Sequence, residues 1–229
     1  MTNEYGYAGK ILKVDLSQGS LEDLPTVEIA DRFIGGRGFA AKIYWDGESS
    51  EAKANDPQNR LIFVNGPLAG FAGLAGSRWQ VCGKSPGITP EFFSYANFGG
   101  SWGAWLKFAG YDGVVIEGTS EKPVYLLIQD GKAEIKDASS LWGKGALVTR
   151  EMLKGIHGKG IRVATMGPAG DNLAVMANII AEDDSSGSCG FGAVMGAKKL
   201  KAIAVAAGDK KAVAAHPEKL HELVQYIRE

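Results

Sequence analysis

Cysteine is nearly missing from these 229 residues: only Cys82 and Cys189 occur, and histidine stops at three. Two thiols exclude a disulfide-stapled scaffold and point to a reducing compartment, the cytoplasm. They lie too far apart in sequence for a metal site and are too few to ligate an iron–sulfur cluster within this chain. An excess of charge of one sign is lacking too. The net charge is −1, so nothing in the balance favours nucleic acid or an anionic membrane surface. No apolar run approaches the roughly 20 residues that span a bilayer. The start, MTNEYGYAGK, has neither the basic opening nor the apolar stretch of a secretory signal. No Ser/His/Asp nucleophile arrangement can be made out, and His157, His216 and His221 fall in polar or helical surface settings. What is plentiful is glycine: 32 residues, mostly clustered in loops, a pattern of turns and close backbone approach. With 45% hydrophobic residues the chain can bury the core of one large domain or two small ones.

The glycine clusters recur in order. FGGSWGAWLKFAGYDGVVIEG, Phe98 to Gly118, runs from a double glycine into a helix, a tight turn and an apolar strand. CGFGAVMGAKKLKAIAVAAG, Cys189 to Gly208, is a looser copy. Each follows a strand ending in a Gly-Pro turn, RLIFVNGPLAG in the first half and IRVATMGPAG in the second. A third pair, KILKVDLSQGSLE and VYLLIQDGKAEI, reads as strand, glycine turn, strand. Three correspondences in one order imply an internal duplication, about 1–118 and 119–210, with two glycine-lined ledges facing a shared centre. Such ledges suit a flat, anionic ligand held by backbone.

Periodicity predicts short helices over Val27 to Phe33, Phe39 to Trp45, Gly99 to Ala109, Gly145 to Ile156 and Met195 to Leu200. Strands are expected over Leu61 to Val64, with Trp79 to Cys82 beside it, and over Val114 to Ile116, Ile161 to Met166 and Ala202 to Ala206. Asn172 to Ala181 reads as β-rich. After His216-Pro217 an amphipathic helix, Glu218 to Glu229, reads as the start of a further helical domain, 211–229, in a longer protein. The fold class is α+β: two related, mostly antiparallel sheets with short helices.

Several residues are candidates for chemistry. Gly36-Arg37-Gly38 and Gly190-Phe191-Gly192 imitate a dinucleotide fingerprint, but the strand before and the acid after are not where that motif needs them. These glycines are either tight turns or presenters of backbone N–H groups to phosphate. Arg78, between a glycine loop and a strand, is either a solvated charge or a bidentate phosphate contact. Asn97, ahead of Gly99-Gly100, is a helix N-cap or a ligand contact. The acidic pair Asp183-Asp184 before Ser185 is solvent-facing or helps to hold magnesium near phosphates. Cys82 reads as a buried thiol and Cys189 as a ledge residue. The tryptophans pack the halves together, or Trp102 and Trp105 line a pocket.

Taken together, YGYAGKILKVDLSQG, FIGGRGFAAK, the NGPLAG turn with Arg78, ANFGG, LKFAGYDGVVIEG, EKPVYLLIQDGKAEIKDAS, MGPAGDN and GFGAVMGAKKLKAIAV resemble the N-terminal domain of the aldehyde ferredoxin oxidoreductase family over nearly the whole chain. The resemblance implies two related sheets with a pseudo-twofold and a tungsten (or molybdenum) bis-pyranopterin across their junction, its phosphates bridged by magnesium. It places Arg78, Gly99, Gly100, Asp184, Gly187 and Ser188 against the cofactor. Carbonyls of Asn97 and Ser185 face the magnesium. A [4Fe-4S] cluster would be ligated from downstream domains, since its ligands are absent from this chain. The implied enzyme oxidises aldehydes to carboxylic acids and passes electrons to ferredoxin or another electron-transfer protein, in a homo-oligomeric assembly. The catalytic subunit of an aromatic acyl-CoA reductase and a stand-alone pterin-binding module are the alternatives. Asp184 and Ser188 stand where archetypal members carry arginines and Cys189 replaces a glycine, so the resemblance implies a divergent branch with a weaker hold on phosphate.

Overall fold

The computed structural model describes residues 5–47, 51–182 and 185–229. The first half lays down β1 (Lys10–Asp15), β2 (Ser20–Pro25), α1 (Val27–Phe33), α2 (Arg37–Trp45), β3 (Leu61–Asn65), β4 (Trp79–Lys84), β5 (Phe93–Phe98), α3 (Trp102–Phe108) and β6 (Gly113–Glu117). The second lays down β7 (Val124–Gln129), β8 (Lys132–Asp137), a single 3-10 turn at Ser139–Leu141, α4 (Ala146–His157), β9 (Arg162–Met166), α5 (Pro168–Asp171), β10 (Ile179–Ala181), β11 (Ser185–Gly187), α6 (Phe191–Ala197) and β12 (Leu200–Ala206). A last helix, α7, spans Pro217–Arg228.

The duplication is visible in the topology. One sheet runs β2-β1-β6-β3-β4-β5 and the other β8-β7-β12-β9-β10-β11, the same order shifted by six strands. In each, the first and last strands of the half form the parallel pair (β1 with β6, β7 with β12), and the other neighbours are antiparallel. The expectation of related, mostly antiparallel sheets therefore holds.

Side-chain alternation sorts each sheet into two faces. Leu12, Val14, Phe63, Trp79, Val81, Phe98, Val114 and Ile116 of the first sheet share one core with Leu126, Ile128, Met166, Ile179, Ile203 and Val205 of the second. Helices α3 and α6 contribute Trp102, Leu106, Phe191, Val194 and Met195 to the same core, so they lie between the sheets. The outer face of the first sheet, with Ile11, Ile62, Val64, Cys82 and Val115, packs on Phe39, Ala40 and Ile43 of α2. That of the second, with Tyr125, Leu127, Val163, Ala202 and Ala204, packs on Leu153 of α4. Strand β3 is apolar on both sides apart from Asn65 because both of its faces are covered.

Tryptophan joins the halves as expected. The indole N–H of Trp102 donates to Ile203 O at 3.2 Å and that of Trp105 to Gly160 O at 3.0 Å, both second-half carbonyls. Trp79 stacks 4.3 Å from Trp102 and 4.1 Å from Phe98. Trp45 does not take part, being 86% exposed. Truncating Trp79 or Trp102 would cost about 3–5 kcal/mol. Lysines add polar ties. Lys198 donates to Pro57 O at 2.9 Å and Gly118 O at 3.2 Å, and Lys10 donates to Gly131 O at 2.9 Å, each crossing from one half to the other.

Two expectations are corrected. Asn172 to Ala181 is not β-rich: only Ile179–Ala181 is strand, and the segment before it closes on itself through Leu173 N to Gly170 O, Ala174 N to Ala169 O and Ala177 N to Ala174 O. The second ledge helix is α6 at 191–197, not Met195 to Leu200. It starts after Gly190 at φ +70°, and Lys199 at φ +55° turns the chain into β12.

Candidate functional site

The two ledges meet. Strands β5 and β11 are the outermost strands on matching sides of their sheets, and they touch. The backbone N–H of Gly99 donates to the Ser185 hydroxyl at 2.8 Å. Gly187 is buried, and a Cβ there would fall inside the Phe98 ring. The Trp79 indole donates to Gly99 O at 2.9 Å, anchoring the first ledge to the core. Gly100 lies at φ +67°, a conformation glycine adopts without strain. Nothing stands within 4 Å of where a Cβ on Gly99 would be, so its backbone is open to close approach.

Arg78 immediately precedes Trp79, and Trp79 is the cross-strand partner of Phe98, which places the guanidinium-bearing residue beside the ledge. It is exposed and, among the described residues, has no hydrogen bond or ion pair. Asn97 is exposed on β5 and Ser188 is exposed just after β11. The structure thus gathers Arg78, Asn97, Gly99, Gly100, Ser185, Gly187 and Ser188 along one junction. Asp184 lies outside the described residues. Gly187 has a packing role that its assignment as a ligand contact did not foresee, because the space its missing side chain leaves is filled by Phe98.

Cys189 sits at φ +63° on the same junction, its thiol 3.4 Å from Tyr95 O and its carbonyl accepting from the Ser85 hydroxyl at 2.6 Å. Cys82 is buried, and burial pushes its thiol up to about 12, with Arg37 pulling weakly the other way. That keeps it protonated and inert. Sequence reasoning missed Arg37, whose guanidinium lies 4.2 Å from the Tyr95 ring centroid. Its signal was the flanking Gly36 and Gly38, read as turn residues or as presenters of backbone N–H groups to phosphate, with no role given to the arginine between them.

At Gly99 the ledge is open. The cavities elsewhere, about 480 Å³ beside Asp15, Arg60 and Glu117 and about 460 Å³ beside Tyr44, Trp45 and Phe93, are not lined by ledge residues. Among the described residues no three His, Cys, Asp or Glu side chains gather to hold a metal, and no helix is long and apolar enough to cross a membrane. Among the described residues, backbone oxygens are what the junction offers a metal, together with groups brought by the ligand, while Asp183 and Asp184 lie outside the described residues. An open glycine backbone beside an unneutralised guanidinium fits a large anionic group.

Fold and junction define a class: a duplicated α+β platform that presents backbone rather than catalytic side chains. The chain belongs to the family described as "Aldehyde ferredoxin oxidoreductase, N-terminal domain", whose model matches residues 11–207. It is similar to the tungsten-containing aldehyde ferredoxin oxidoreductase of Thermococcus kodakarensis, 42% identical over 224 residues, 96% of this chain and 36% of that protein. It is also similar to the aliphatic sulfonate oxidoreductase, WOR-like subunit, of Pyrococcus furiosus, 33% identical over 87% of this chain and 34% of that protein. Among solved structures, the active site complex BamBC of benzoyl coenzyme A reductase with 1,5-dienoyl-CoA aligns with a TM-score of 0.90 at 38% identity, covering 96% of this chain and 34% of that one. The chain spans about a third of the length of the curated relatives it matches.

Proposed function

We propose that the chain is the cofactor platform of a tungsten-dependent oxidoreductase that converts aldehydes to carboxylic acids. The observation that carries this reading is the junction itself. The Gly99–Ser185 hydrogen bond brings the two ledges side by side, and the backbone of Gly99 stays open to a ligand. A duplicated platform suits a cofactor that is itself built of two like parts. Arg78 would hold phosphate by charge-assisted contacts. Gly99 and Gly100 would let the backbone approach closely, with Ser188 at the rim. Carbonyls of Asn97 and Ser185 would face magnesium. A tungsten bis-pyranopterin, when bound, supplies the two-electron redox chemistry, and this domain supplies position and electrostatics.

Residues 1–210 form the platform in this reading, and 211–229 open a helical domain. Helix α7 supports it: Val224 is buried, while Leu223, Tyr226 and Ile227 are exposed, as they would be with more protein to cover them. The iron–sulfur cluster, the route to ferredoxin, a homo-oligomeric assembly and a cytoplasmic location complete the reading. The solved benzoyl coenzyme A reductase complex favours a second one, in which the same platform serves a reductase acting on an acyl-CoA.

Metal analysis of the complete gene product tests both. Tungsten or molybdenum near one per chain, together with iron, is expected, and a protein free of both heavy metals would refute the platform reading. Turnover of aldehydes against aromatic acyl-CoA then separates the two. Arg78→Ala should lower the metal content with an unchanged circular dichroism spectrum; equal metal content would remove Arg78 from the site.

A further inference from the structure

Arg37 is held by a backbone that only glycine neighbours permit. Gly36 lies at φ +53° and ψ −129°, and its N–H donates to Asn65 O at 2.8 Å. A Cβ at Gly36 would stand 2.7 Å from Gln80 Oε1. The first turn of α2 therefore rests on the ends of β3 and β4, at the row where Asn65 pairs with Trp79 and Trp79 with Phe98. This is the row that leads into the ledge.

Strand alternation puts the relevant side chains on one face. Val81 and Ala96 point into the shared core with Trp79 and Phe98, so the pairs Gln80 with Asn97 and Cys82 with Tyr95 point to the outer face, where α2 lies. The Arg37 guanidinium stacks 4.2 Å from the Tyr95 centroid, on the same strand and face as Asn97. Stacking leaves the edge of the planar fork free for a bidentate anion.

Several other cations of the chain have carboxylate partners. Lys13 and Arg60 pair with Glu117, Lys154 with Glu182 and Lys201 with Asp171. Arg37 and Arg78 are exposed and, among the described residues, neither has an ion pair or a hydrogen bond. Arg78 adjoins the Trp79–Phe98 row and Arg37 stacks on Tyr95 three rows along the same strand pair, so both guanidiniums flank the exposed Asn97 and an anion seated there would be attracted by each. We propose that Arg37 is a second anion-binding guanidinium of the ledge, acting with Arg78 on a phosphate group of the ligand. The assignment rests on the platform reading above and adds a residue to it.

Inorganic pyrophosphate, titrated calorimetrically into the chain, is the probe. The wild type, Arg37→Ala, Arg37→Lys, Arg78→Ala and the distant control Lys210→Ala are compared, with circular dichroism to show that each is folded. Arg37→Ala should weaken binding roughly tenfold or more, Arg78→Ala similarly, and Arg37→Lys less than Arg37→Ala, because the charge remains and the fork is lost. Lys210→Ala should bind as the wild type does. The salt dependence of binding should also flatten in Arg37→Ala, a change that loss of packing alone would not produce. Loss in Arg78→Ala with full binding by Arg37→Ala would overturn the assignment of Arg37 and leave the platform intact. Equal binding by all variants, or no binding by the wild type, would overturn it as well, and the tungsten content of the complete gene product then judges the platform separately.

Discussion

The N–H of Gly99 and the hydroxyl of Ser185 are 2.8 Å apart although the residues belong to different sheets. Among the described residues, this hydrogen bond joins the first ledge to the second. A neutral hydrogen bond is worth about 1 kcal/mol net, so Ser185→Ala should lower stability by about that much. The local effect should be larger than the global one. The Gly99 amide should exchange with deuterium faster by an order of magnitude or so while amides of β3 and β12 keep their protection. Unchanged exchange at Gly99 would show that the ledges are held together by something else.

Gly187 offers a sharper probe of the same junction. Its missing side chain is replaced by the Phe98 ring, which is itself fixed against Trp79 at 4.1 Å and fully buried. The ring has nowhere to go. Gly187→Ala should destabilise by about 1–3 kcal/mol through overpacking, read as a lower denaturant midpoint with an unchanged slope. The double variant Gly187→Ala with Phe98→Leu should recover part of that loss. Additive losses would mean that the two residues do not compete for one space.

The repeat was legible because it is written in glycine and in apolar strands, which constrain the backbone locally. RLIFVNGP and IRVATMGP announce β3 and β9, and FGG announces α3, whereas α6 begins at Phe191, four residues ahead of the expected Met195. The gathering of Arg78, Asn97 and Gly99 at one edge could be anticipated from the resemblance. What was not legible depends on tertiary partners. Leu173, Val175 and Met176 are apolar like strand residues, yet among the described residues no strand pairs with them, and local turn hydrogen bonds leave Met176 84% exposed. The packing role of Gly187 needs Phe98 from the other half, and the stacking of Arg37 needs Tyr95 from a strand far along the chain. A single sequence shows neither neighbour.

Ile34 carries backbone strain that its contacts do not require. It sits at φ 61° and ψ −57°, and Gly35 N donates to Phe33 O at 2.6 Å, a three-residue γ-turn of the rarer hand. A β-branched residue there costs on the order of 1–3 kcal/mol. Its side chain is 64% exposed, so little burial is at stake, and the Tyr7 hydroxyl bonds only its carbonyl. Ile34→Gly should therefore raise stability by about 1 kcal/mol after the entropy that glycine adds to the unfolded chain. A lower melting temperature would show that the Ile34 side chain contributes more than its exposure suggests.

Lys107 and Lys198 make stability depend on pH in an unusual direction. Both side chains are buried, and burial lowers each to about 8, outweighing Asp112 at 3.7 Å from Lys107 and the more distant Glu117, Asp15 and Asp56 around Lys198. In the unfolded chain a lysine keeps its proton to about pH 10.4. Between pH 8 and about 10 the unfolded state therefore binds more protons than the folded one, and stability from these groups rises with pH. Below pH 8 both states are protonated and the contribution is flat. Buried acids act the other way: burial raises Cys82, Tyr111 and Tyr125, and the unfolded chain loses those protons first, the thiol from about pH 8.5 and the phenols from about pH 10. Lys198→Met isolates one of the two lysines. Methionine cannot donate to Pro57 O and Gly118 O, so its absolute stability depends on how those carbonyls are rehydrated. The difference between variant and wild type does not have that ambiguity in its slope. It should shift in favour of the wild type by about 1 kcal/mol per pH unit at most between pH 8 and 10, measured by urea unfolding at several pH values. Parallel stability profiles for the two proteins would mean that Lys198 keeps its proton in the folded state at pH 10, and that the carbonyls around it solvate an ammonium rather than an amine.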